Sequence, residues 1–451
     1  MNQNEPIYDA HALGTPKMMV LGVQHMFAMF GATVLVPALT GLSVSATLLF
    51  AGLGTLLFHF LTKMKVPAFL GSSFAFIGGY AAIAPMLPDA NGNATVANTE
   101  MLPYACFGVA CAGLLYAVLS ALFKIFGAKT VMRYFPPIVT GPVIICIGLT
   151  LSKTAIDSCR ANWAIALVAI AVVVICNIWG KGMIRIIPIL LGVIGSYTAA
   201  ALTNNVNFSK VAAAAWIGVP FHFENTLFGL FSRPNLDAGM LVTAAVTIMP
   251  LALATMVEHI GDICAISSTC ERNFIVDPGL HRTLLGDGLA TSLAAIFGAP
   301  ANTTYGENTG VLVLSRVYDP KVIRIAAGLA ILFSFSPKFS ALISAMPQAT
   351  MGGVSMVLYG MISAVGVRNI VENQVNFSNS RNVIVTALIM VLAIGINYSG
   401  AVSFQVGTIT ISMSGLAVGA ITGIVLNAIL PGKDYEFGID QKGDTSVSFK
   451  V

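Results

Sequence analysis

Charged residues are scarce in this chain. Aspartate, glutamate, lysine and arginine make up 9% of the 451 residues, whereas an average soluble domain carries about 25%. Hydrophobic residues make up 56%, the mean hydropathy is +0.85, and apolar runs of membrane-spanning length recur along most of the chain. The composition excludes a soluble globular protein and predicts a polytopic protein in a lipid bilayer. A net charge of +4 would suggest an acidic partner in a soluble protein, but in a membrane protein the position of each charge matters more than the sum, and the basic residues belong mainly to loops. No nucleic-acid partner is expected.

Motifs of membrane-embedded enzymes are also missing. The sequence has no aspartate-rich diphosphate-metal motif, no H-E-x-x-H and no G-x-S-x-G. Its seven cysteines lie mostly inside apolar runs and lack the paired spacing of a zinc site or a disulfide framework. We therefore expect no enzyme activity, no bound metal and no cofactor.

Fourteen apolar segments are predicted to cross the membrane, seven on each side of a long polar connection. The first seven lie near 18–40, 46–62, 66–87, 104–126, 134–152, 162–180 and 184–203. The second seven lie near 240–268, 283–299, 302–316, 322–337, 341–366, 382–399 and 406–430.

Lysine and arginine indicate the side of the membrane, because cytoplasmic loops are enriched in them. If the N-terminus is cytoplasmic, only five of the 23 basic residues lie outside, namely Lys153, Arg160, Lys210, Arg233 and Lys338. Gaining or losing one span midway would move every later loop to the other side and destroy this bias. Both termini are therefore expected in the cytoplasm.

Two sets of seven spans predict an inverted repeat, because an odd number of spans inserts the second half upside down relative to the first. The expected divisions are an N-terminal tail (1–17), a first repeat (18–203), an external connection (204–239), a second repeat (240–430) and a C-terminal tail (431–451). Inverted repeats are typical of secondary transporters, whose substrate sites lie where corresponding helices of the two halves are broken.

Broken segments occur at matching positions in the two halves. The third span reads VPAFLGSSFAFIGGYAAIAPML, and the third span of the second half reads GAPANTTYGENTGVLVLSR. Both begin beside a proline and carry glycine with serine or threonine in their first half. The pair predicts two discontinuous helices, the third and the tenth.

Three carboxylates, Glu258, Asp262 and Glu307, are assigned to predicted spans, and the other acidic residues mostly to loops or tails. A charge at the middle of a span costs at least about 2.5 to 3.5 kcal/mol, so such residues usually face a cavity or a partner. Glu258 and Asp262 are four residues apart and share one helix face. Their mutual repulsion makes at least one of them take up a proton more readily than in water, which favours proton coupling. The alternative is a structural role, in hydrogen bonds to neighbouring helices.

Long blocks of sequence carry a resemblance over nearly the whole chain. They are QHMFAMFGATVLVPAL, KVPAFLGSSFAFI, VEHIGD, DPGLHRTLLGDGLATSLAAIFGAPANTTYGENTGV and MPQATMGGVSMVLYGMI. On these blocks the chain resembles the nucleobase-ascorbate transporter family of nucleobase:cation symporters, and most closely its bacterial uracil permeases. The family signature near the tenth span is matched by Glu307, Asn308, Thr309, Gly310, Ser315 and Arg316. Glutamate at its first position is the uracil-type residue, where purine-type members typically have glutamine.

The resemblance implies an all-α membrane fold of fourteen helices in two inverted seven-helix repeats, divided into core and gate domains. The third and tenth helices would be broken and carry short extended segments. It also implies a homodimer in a bacterial inner membrane that imports uracil by alternating access. Together with the paired acids, it favours H+ over Na+ as the coupling ion.

Site residues are carried over from the same resemblance, with the base between the third, eighth and tenth helices. Glu258 and Glu307 would accept hydrogen bonds from the ring N–H groups, and the backbone amides of Phe74 and Gly306 would donate to the ring carbonyls. The residues that would complete the pocket are Ala32, Ser73, Tyr305 and Tyr359. The residues expected to couple the proton are Glu258, Asp262 and Glu307, although some uracil permeases have histidine where this chain has Asp262.

Two other transport functions stay open on the sequence alone. A xanthine or purine permease of the same family is disfavoured by Glu307. An anion exchanger or channel of the same architecture would need a positive site, yet no lysine or arginine lies near the middle of a predicted span.

Overall fold

The computed structural model describes residues 6–88, 94–400, 402–406 and 409–434, and most of them are helical. The helices up to residue 203 are α1 (Thr15–Thr40), α2 (Val44–Leu61), α3 (Ile77–Ile83), α4 (Leu102–Phe126), α5 (Ala128–Met132), α6 (Pro137–Thr150), α7 (Ser152–Cys159), α8 (Trp163–Ile178), α9 (Met183–Ile186) and α10 (Pro188–Leu202). The later helices are α11 (Ser209–Ala213), α12 (Leu227–Phe231), α13 (Ala238–Ile248), α14 (Leu251–Thr269), α15 (Leu280–Ile296), α16 (Glu307–Ser315), α17 (Pro320–Ser334), α18 (Pro337–Ser344), α19 (Gln348–Glu372), α20 (Ser380–Ser399) and α21 (Gly415–Ile429).

Short strands and tight turns interrupt the helices. The strands are β1 (Leu70–Ser72), β2 (Leu87–Pro88), β3 (Ala94–Val96), β4 (Asn302–Thr304), β5 (Val402–Val406) and β6 (Ile409–Met413). Tight helical turns are formed by Ala10–Leu13, Phe74–Phe76 and Phe223–Asn225, and Ile275–Gly279 is a wider, π-type turn with a kink at Asp277. In the described part of the chain the strands form only two-stranded antiparallel pairs. They are therefore short interruptions of a helical fold.

Each of the fourteen predicted spans contains a helix. Seven helical segments of the described residues are long and apolar enough to cross a membrane by themselves, namely Thr15–Thr40, Val44–Leu61, Leu102–Phe126, Pro137–Cys159, Ala238–Thr269, Gln348–Glu372 and Ser380–Ser399. The other predicted spans contain shorter helices, some of them joined to strands. The predicted all-α membrane fold is confirmed.

The third and tenth spans are broken in the predicted manner. β1 and β4 pair antiparallel at the centre of the fold, with Gly71 opposite Thr303, and all their residues are buried. Pro67 and Pro300 stand shortly before the two strands and lack a backbone N–H, which disfavours helix at these points. β1 leads into the turn Phe74–Phe76 and α3, and β4 leads into α16. The antiparallel pairing makes these two helices start at opposite ends of the strand pair.

Two spans differ from their predicted bounds. The span predicted at 341–366 is divided, because α19 begins only after Pro347 and α18 stands at 89° to α17. The span predicted at 406–430 begins as the β5–β6 hairpin, and α21 follows after Ser414, whose hydroxyl caps the helix by accepting from Ala417 N–H. Valine, isoleucine and threonine are frequent in residues 402–411, and β-branched residues favour strands.

Glycine permits the close packing of α4 against α15. A Cβ atom on Gly288 would lie 2.6 Å from the Gly113 carbonyl oxygen, and one on Gly113 would lie 2.5 Å from the Gly288 carbonyl oxygen. The Ser292 hydroxyl donates to the Ala110 carbonyl oxygen at 2.9 Å across the same contact. Small residues and interhelical hydrogen bonds are the usual means of packing helices in membranes. This contact fixes the position of α15.

Replacing Gly288 with alanine is expected to destabilise the protein by about 1–3 kcal/mol, because the new methyl group has no space in the crossing. Thermal unfolding of the purified protein in detergent measures the effect. Gly328→Ala on α17 is the matched control, because nothing lies within 4 Å of its added Cβ. Equal melting temperatures for the two variants would contradict the packing argument.

Candidate functional site

A cavity of about 730 Å³ lies between α14 and α16 on one side and α6 and α19 on the other. Glu258, Asp262 and Gly306 line the first wall, and α19 contributes much of the second. The cavity extends to the ends of α16 and α19, where the lining residues Arg316 and Arg368 are exposed. It therefore opens at the end of the bundle to which the sequence assigns the cytoplasmic loops.

Glu258 and Asp262 lie on successive turns of α14 and both face the cavity. Pro250 separates α13 from α14, because a proline lacks the N–H group that a continuous helix needs. Both carboxylates are partly exposed. The structure thus brings together the two acids that their spacing assigns to one helix face.

A hydrogen-bonded chain connects α14 to the strand before α16. The Thr304 hydroxyl donates to Asp262 Oδ2 at 3.2 Å, and the Nδ1 atom of His259 lies 3.1 Å from the same hydroxyl oxygen. Because the hydroxyl proton is given to Asp262, the network assigns an N–H to His259 Nδ1. His259 Nε2 is buried without a hydrogen-bond partner in the described part of the chain. His259 therefore links α14 to β4 through the Thr304 hydroxyl.

Asp287 belongs to the same network and corrects the assignment of acids to spans. It lies on α15, inside the predicted span 283–299, and is completely buried. Its Oδ1 atom accepts from the Thr304 backbone N–H at 2.8 Å and lies 3.5 Å from His259 Nδ1. A fourth membrane carboxylate therefore supports the strand that precedes Gly306. Its position in an apolar segment, between Gly286 and Gly288, was the available signal in the sequence.

Four of the residues assigned to the pocket lie in one apolar cluster, namely Ala32, Phe74, Tyr305 and Tyr359. The ring of Phe74 meets the ring of Tyr359 edge to face, with centroids 5.6 Å apart. The Tyr305 hydroxyl donates to the Ser72 carbonyl oxygen at 2.8 Å, which ties β4 to β1. This cluster and the acidic cavity wall meet at the two broken helices.

The backbone N–H groups at the two broken helices differ in whether the helix or strand pair already supplies an acceptor. The Ser73 N–H donates to the Ala301 carbonyl oxygen at 2.9 Å. Phe74 begins a helical turn and Gly306 directly precedes α16, so their amides belong to first turns, which have no intrahelical acceptors. The turn that begins at Phe74 packs against α14, as do β4 and α16. Both broken helices therefore direct their N-terminal ends to the helix that carries Glu258.

Gly306 approaches Asp262 closely. A Cβ atom on Gly306 would lie 3.1 Å from Asp262 Oδ1, whereas nothing lies within 4 Å of a Cβ on Gly310 one turn later. Glycine at 306 therefore lets the backbone come close to the carboxylate. Glu307 begins α16, and its side chain lies outside the described residues.

Ser355 is a neighbour of Tyr359 that the sequence did not single out. The two residues are one turn apart on α19, and both hydroxyl groups are buried without a hydrogen-bond partner among the described residues. A buried hydroxyl without a partner is costly. Tyr359 packs against Phe74, and neither Ser355 nor Tyr359 is among the residues that line the cavity.

Comparison with known proteins gives consistent matches over most of the chain. The family model Xan_ur_permease, described as a permease family, matches residues 16–402. The uracil permease of Bacillus caldolyticus is 40% identical over 447 residues, which is 95% of this chain and 96% of that protein. The uracil permease of Bacillus subtilis (strain 168) is also 40% identical, with 91% of each chain covered. The putative pyrimidine permease RutG of Escherichia coli (strain K12) is 36% identical, covering 92% of this chain and 89% of its own.

Solved structures share the fold at low sequence identity. The transmembrane domain of the cyanobacterial bicarbonate transporter BicA matches with a TM-score of 0.54 and 16% identity, over 87% of this chain and 97% of that one. SLC26A9 matches with a TM-score of 0.62 and 11% identity, over 94% of this chain and 66% of that one. These likenesses show the transporter fold of two inverted seven-helix repeats.

Proposed function

This chain belongs to the nucleobase-ascorbate transporter family of permeases, and from that premise we propose that it imports uracil together with protons by alternating access. It is an integral multi-pass membrane protein and a transporter rather than an enzyme. The observation that carries the proposal is the cavity wall on which Glu258 and Asp262 lie beside Gly306, at the start of a broken helix.

Uracil fits the hydrogen-bonding groups around this wall. The base has two ring N–H donors and two carbonyl acceptors in one plane. In the proposed complex, Glu258 and Glu307 accept from the N–H groups, and the first-turn amides of Phe74 and Gly306 donate to the carbonyls. The ring of Phe74, held by Tyr359, provides an apolar surface for the base.

The charge distribution favours a neutral base over an anion. The acids Glu258 and Asp262 line the inner wall of the cavity, whereas the lining arginines Arg316 and Arg368 are exposed at its mouth. An anion at the wall would be repelled by the carboxylates. The uracil permeases among the relatives and the glutamate at position 307 favour uracil over purines.

Proton coupling is assigned to the acids of α14. Two carboxylates one turn apart repel each other when both are charged, so a proton on one of them relieves the repulsion. Asp262 is linked through Thr304 to the strand that precedes Gly306. A proton taken up by Glu258 or Asp262 can therefore affect substrate binding, because both acids and the proposed substrate site lie on the same wall of the cavity.

Alternating access requires one wall of the cavity to move against the other. In the proposed cycle, α14 with the β1–β4 pair and α16 forms the core, and α6 with α19 belongs to the gate. The cavity opens toward the predicted cytoplasmic loops, so this conformation would release uracil inward.

Cytoplasmic termini and a homodimer belong to the same proposal. Proteolysis of terminal tags in sealed right-side-out vesicles tests the orientation of the termini.

Uptake of labelled uracil, in cells that lack their own uracil transporter, tests the function directly. Unlabelled uracil is expected to compete, xanthine and adenine are expected not to, and a protonophore is expected to abolish accumulation. Competition by xanthine without competition by uracil would contradict uracil as the substrate. Uptake that resists the protonophore and requires sodium would contradict the proposal of proton coupling.

Replacing Asp262 with asparagine is expected to retain uracil binding and weaken the coupling to protons. The asparagine carbonyl can still accept the Thr304 hydroxyl, so the wall keeps its shape, but the titratable group is lost. Accumulation against a gradient should fall, while exchange of labelled for unlabelled uracil across the membrane continues. An unchanged pH dependence of accumulation in this variant would remove Asp262 from the coupling mechanism.

A further inference from the structure

Residues Pro6 to Leu13, here called the strap, cross the mouth of the cavity. Pro6 contributes to the cavity lining. Ile7 forms a parallel bridge beside Val317, in the loop that follows α16. Its N–H donates to the Arg316 carbonyl oxygen and its carbonyl oxygen accepts from the Tyr318 N–H, both at 2.8 Å. The strap is therefore bound by backbone hydrogen bonds to the end of the tenth span.

Tyr8 extends this attachment to the end of α14. Its hydroxyl donates to the Cys270 carbonyl oxygen at 3.0 Å, where α14 ends. Its ring packs edge to face on Tyr318, with centroids 5.6 Å apart, and the Arg272 guanidinium lies 4.1 Å from the ring centre. One side chain thus contacts the residues after α14 and those after α16.

Asp9 and Ala10 fix the other end of the strap to the start of α17. The Ala10 N–H donates to Asp319 Oδ2 at 2.8 Å, and Lys321 Nζ lies 3.2 Å from Asp9 Oδ1. The backbone N–H of His11 and then Lys321 hold the pKa of Asp9 below its ordinary value, so Asp9 is charged at neutral pH. Ala10 is fully buried. In the part of the chain that the structure describes, the strap's hydrogen bonds, ion pairs and ring contacts to other segments reach residues 270–272 and 316–321 and none reaches α6 or α19.

We propose that the strap is a positioning element of the transport site, with Tyr8 as its central residue. It joins the end of α14 to the loop after α16. The helix α14 carries Glu258 and Asp262, and the helix α16 begins directly after Gly306. Its polar and ring attachments to other segments reach only the residues that follow α14 and α16, up to the start of α17. It therefore moves with the wall that α14 and α16 form and keeps the spacing of the site residues as the walls separate. The proposal rests on the proposed function for the identity of the substrate only.

A cross-link distinguishes a brace of this kind from a lid that opens in every cycle. Ile7→Cys together with Val317→Cys places two thiols at a backbone bridge. After oxidation, the double variant is expected to keep its initial rate of uracil uptake, because both residues belong to one moving unit. Each single variant under the same oxidation is the control. Loss of uptake that a reductant restores would show that the strap must release, and would overturn the proposal.

Substitution of Tyr8 tests the positioning role. Tyr8→Ala is expected to raise the KM for uracil about fivefold, a size typical of a residue that acts on a site through intervening contacts, with normal amounts of protein in the membrane. Tyr8→Phe keeps the ring contacts and is expected to lie between Tyr8→Ala and the parent protein. Tyr134→Ala is the matched control, because this tyrosine is 44% exposed in the loop before α6. A Tyr8→Ala variant that loses folded protein but keeps its KM would reduce the strap to a purely structural element and overturn the proposal.

Amide hydrogen exchange tests the brace without any substrate. In the purified protein, Tyr8→Ala should speed exchange both at residues 270–272 and at 316–319, whereas Tyr134→Ala should change neither. This result would stand even if uracil proved not to be transported. Faster exchange at only one of the two segments would overturn the bridging role of Tyr8.

Discussion

Uracil uptake falls by roughly tenfold to a hundredfold when Glu258 is replaced with glutamine, because a hydrogen bond to a charged group contributes about 1.5–3 kcal/mol. The carboxylate accepts a ring N–H of the base in the proposed complex, and the amide of glutamine is a weaker acceptor. The amide also cannot take up a proton. The variant should therefore lose accumulation against a gradient more completely than it loses binding.

Uptake and binding must be measured separately in this variant. Equal amounts of membrane protein are confirmed by immunoblot, binding is measured on the purified protein, and accumulation is measured with and without a protonophore. Glu224→Gln is the control, because Glu224 is exposed in the connection between the two predicted repeats. Glu307→Gln is expected to lose uptake in the same way. Normal uptake in both the Glu258→Gln and Glu307→Gln variants would contradict the assignment of these residues to the transport site.

Local sequence signals were sufficient for most of the architecture. Apolar length gave the spans, and proline with glycine and hydroxyl residues gave the two broken helices, because these are properties of short stretches of chain. The four-residue spacing of Glu258 and Asp262 was likewise enough to predict that they share one helix face, and both line the cavity. These features depend on the helix period and not on the packing of distant segments.

Contacts between distant segments were outside the reach of the sequence. The partner of Asp287 is a backbone N–H seventeen positions away in sequence, and Tyr8 meets α14 more than two hundred positions away. The β5–β6 hairpin was absorbed into an apolar run, because hydropathy alone does not separate a strand from a helix of similar composition. Asp287 itself, unlike its partner, is visible in the sequence as an acid between two glycines inside an apolar segment.

Asp287→Ala is expected to destabilise the protein and to abolish most uptake. The change leaves the buried Thr304 N–H without its acceptor, which costs about 1–3 kcal/mol. Thr304 also gives its hydroxyl hydrogen bond to Asp262, so a shift of β4 disturbs both Asp262 and the adjacent Gly306. We expect uptake to fall at least about tenfold, the equivalent of roughly 1.4 kcal/mol at the site. Thermal unfolding and labelled uptake measure the two effects.

Asp287→Asn separates the shape of this network from its charge. The asparagine Oδ1 atom can still accept from Thr304, so the melting temperature should remain near that of the parent protein. Uptake should nevertheless fall, because His259 Nδ1, which lies 3.1 Å from the Thr304 hydroxyl, also lies 3.5 Å from Asp287 Oδ1, and an amide oxygen there is a weaker acceptor than a carboxylate oxygen. Asp157→Asn, at an exposed ion pair with Lys153, is the control and should change neither property. If Asp287→Asn transports uracil at the parent rate, Asp287 acts only as a backbone acceptor, and the charge of this fourth carboxylate has no part in transport.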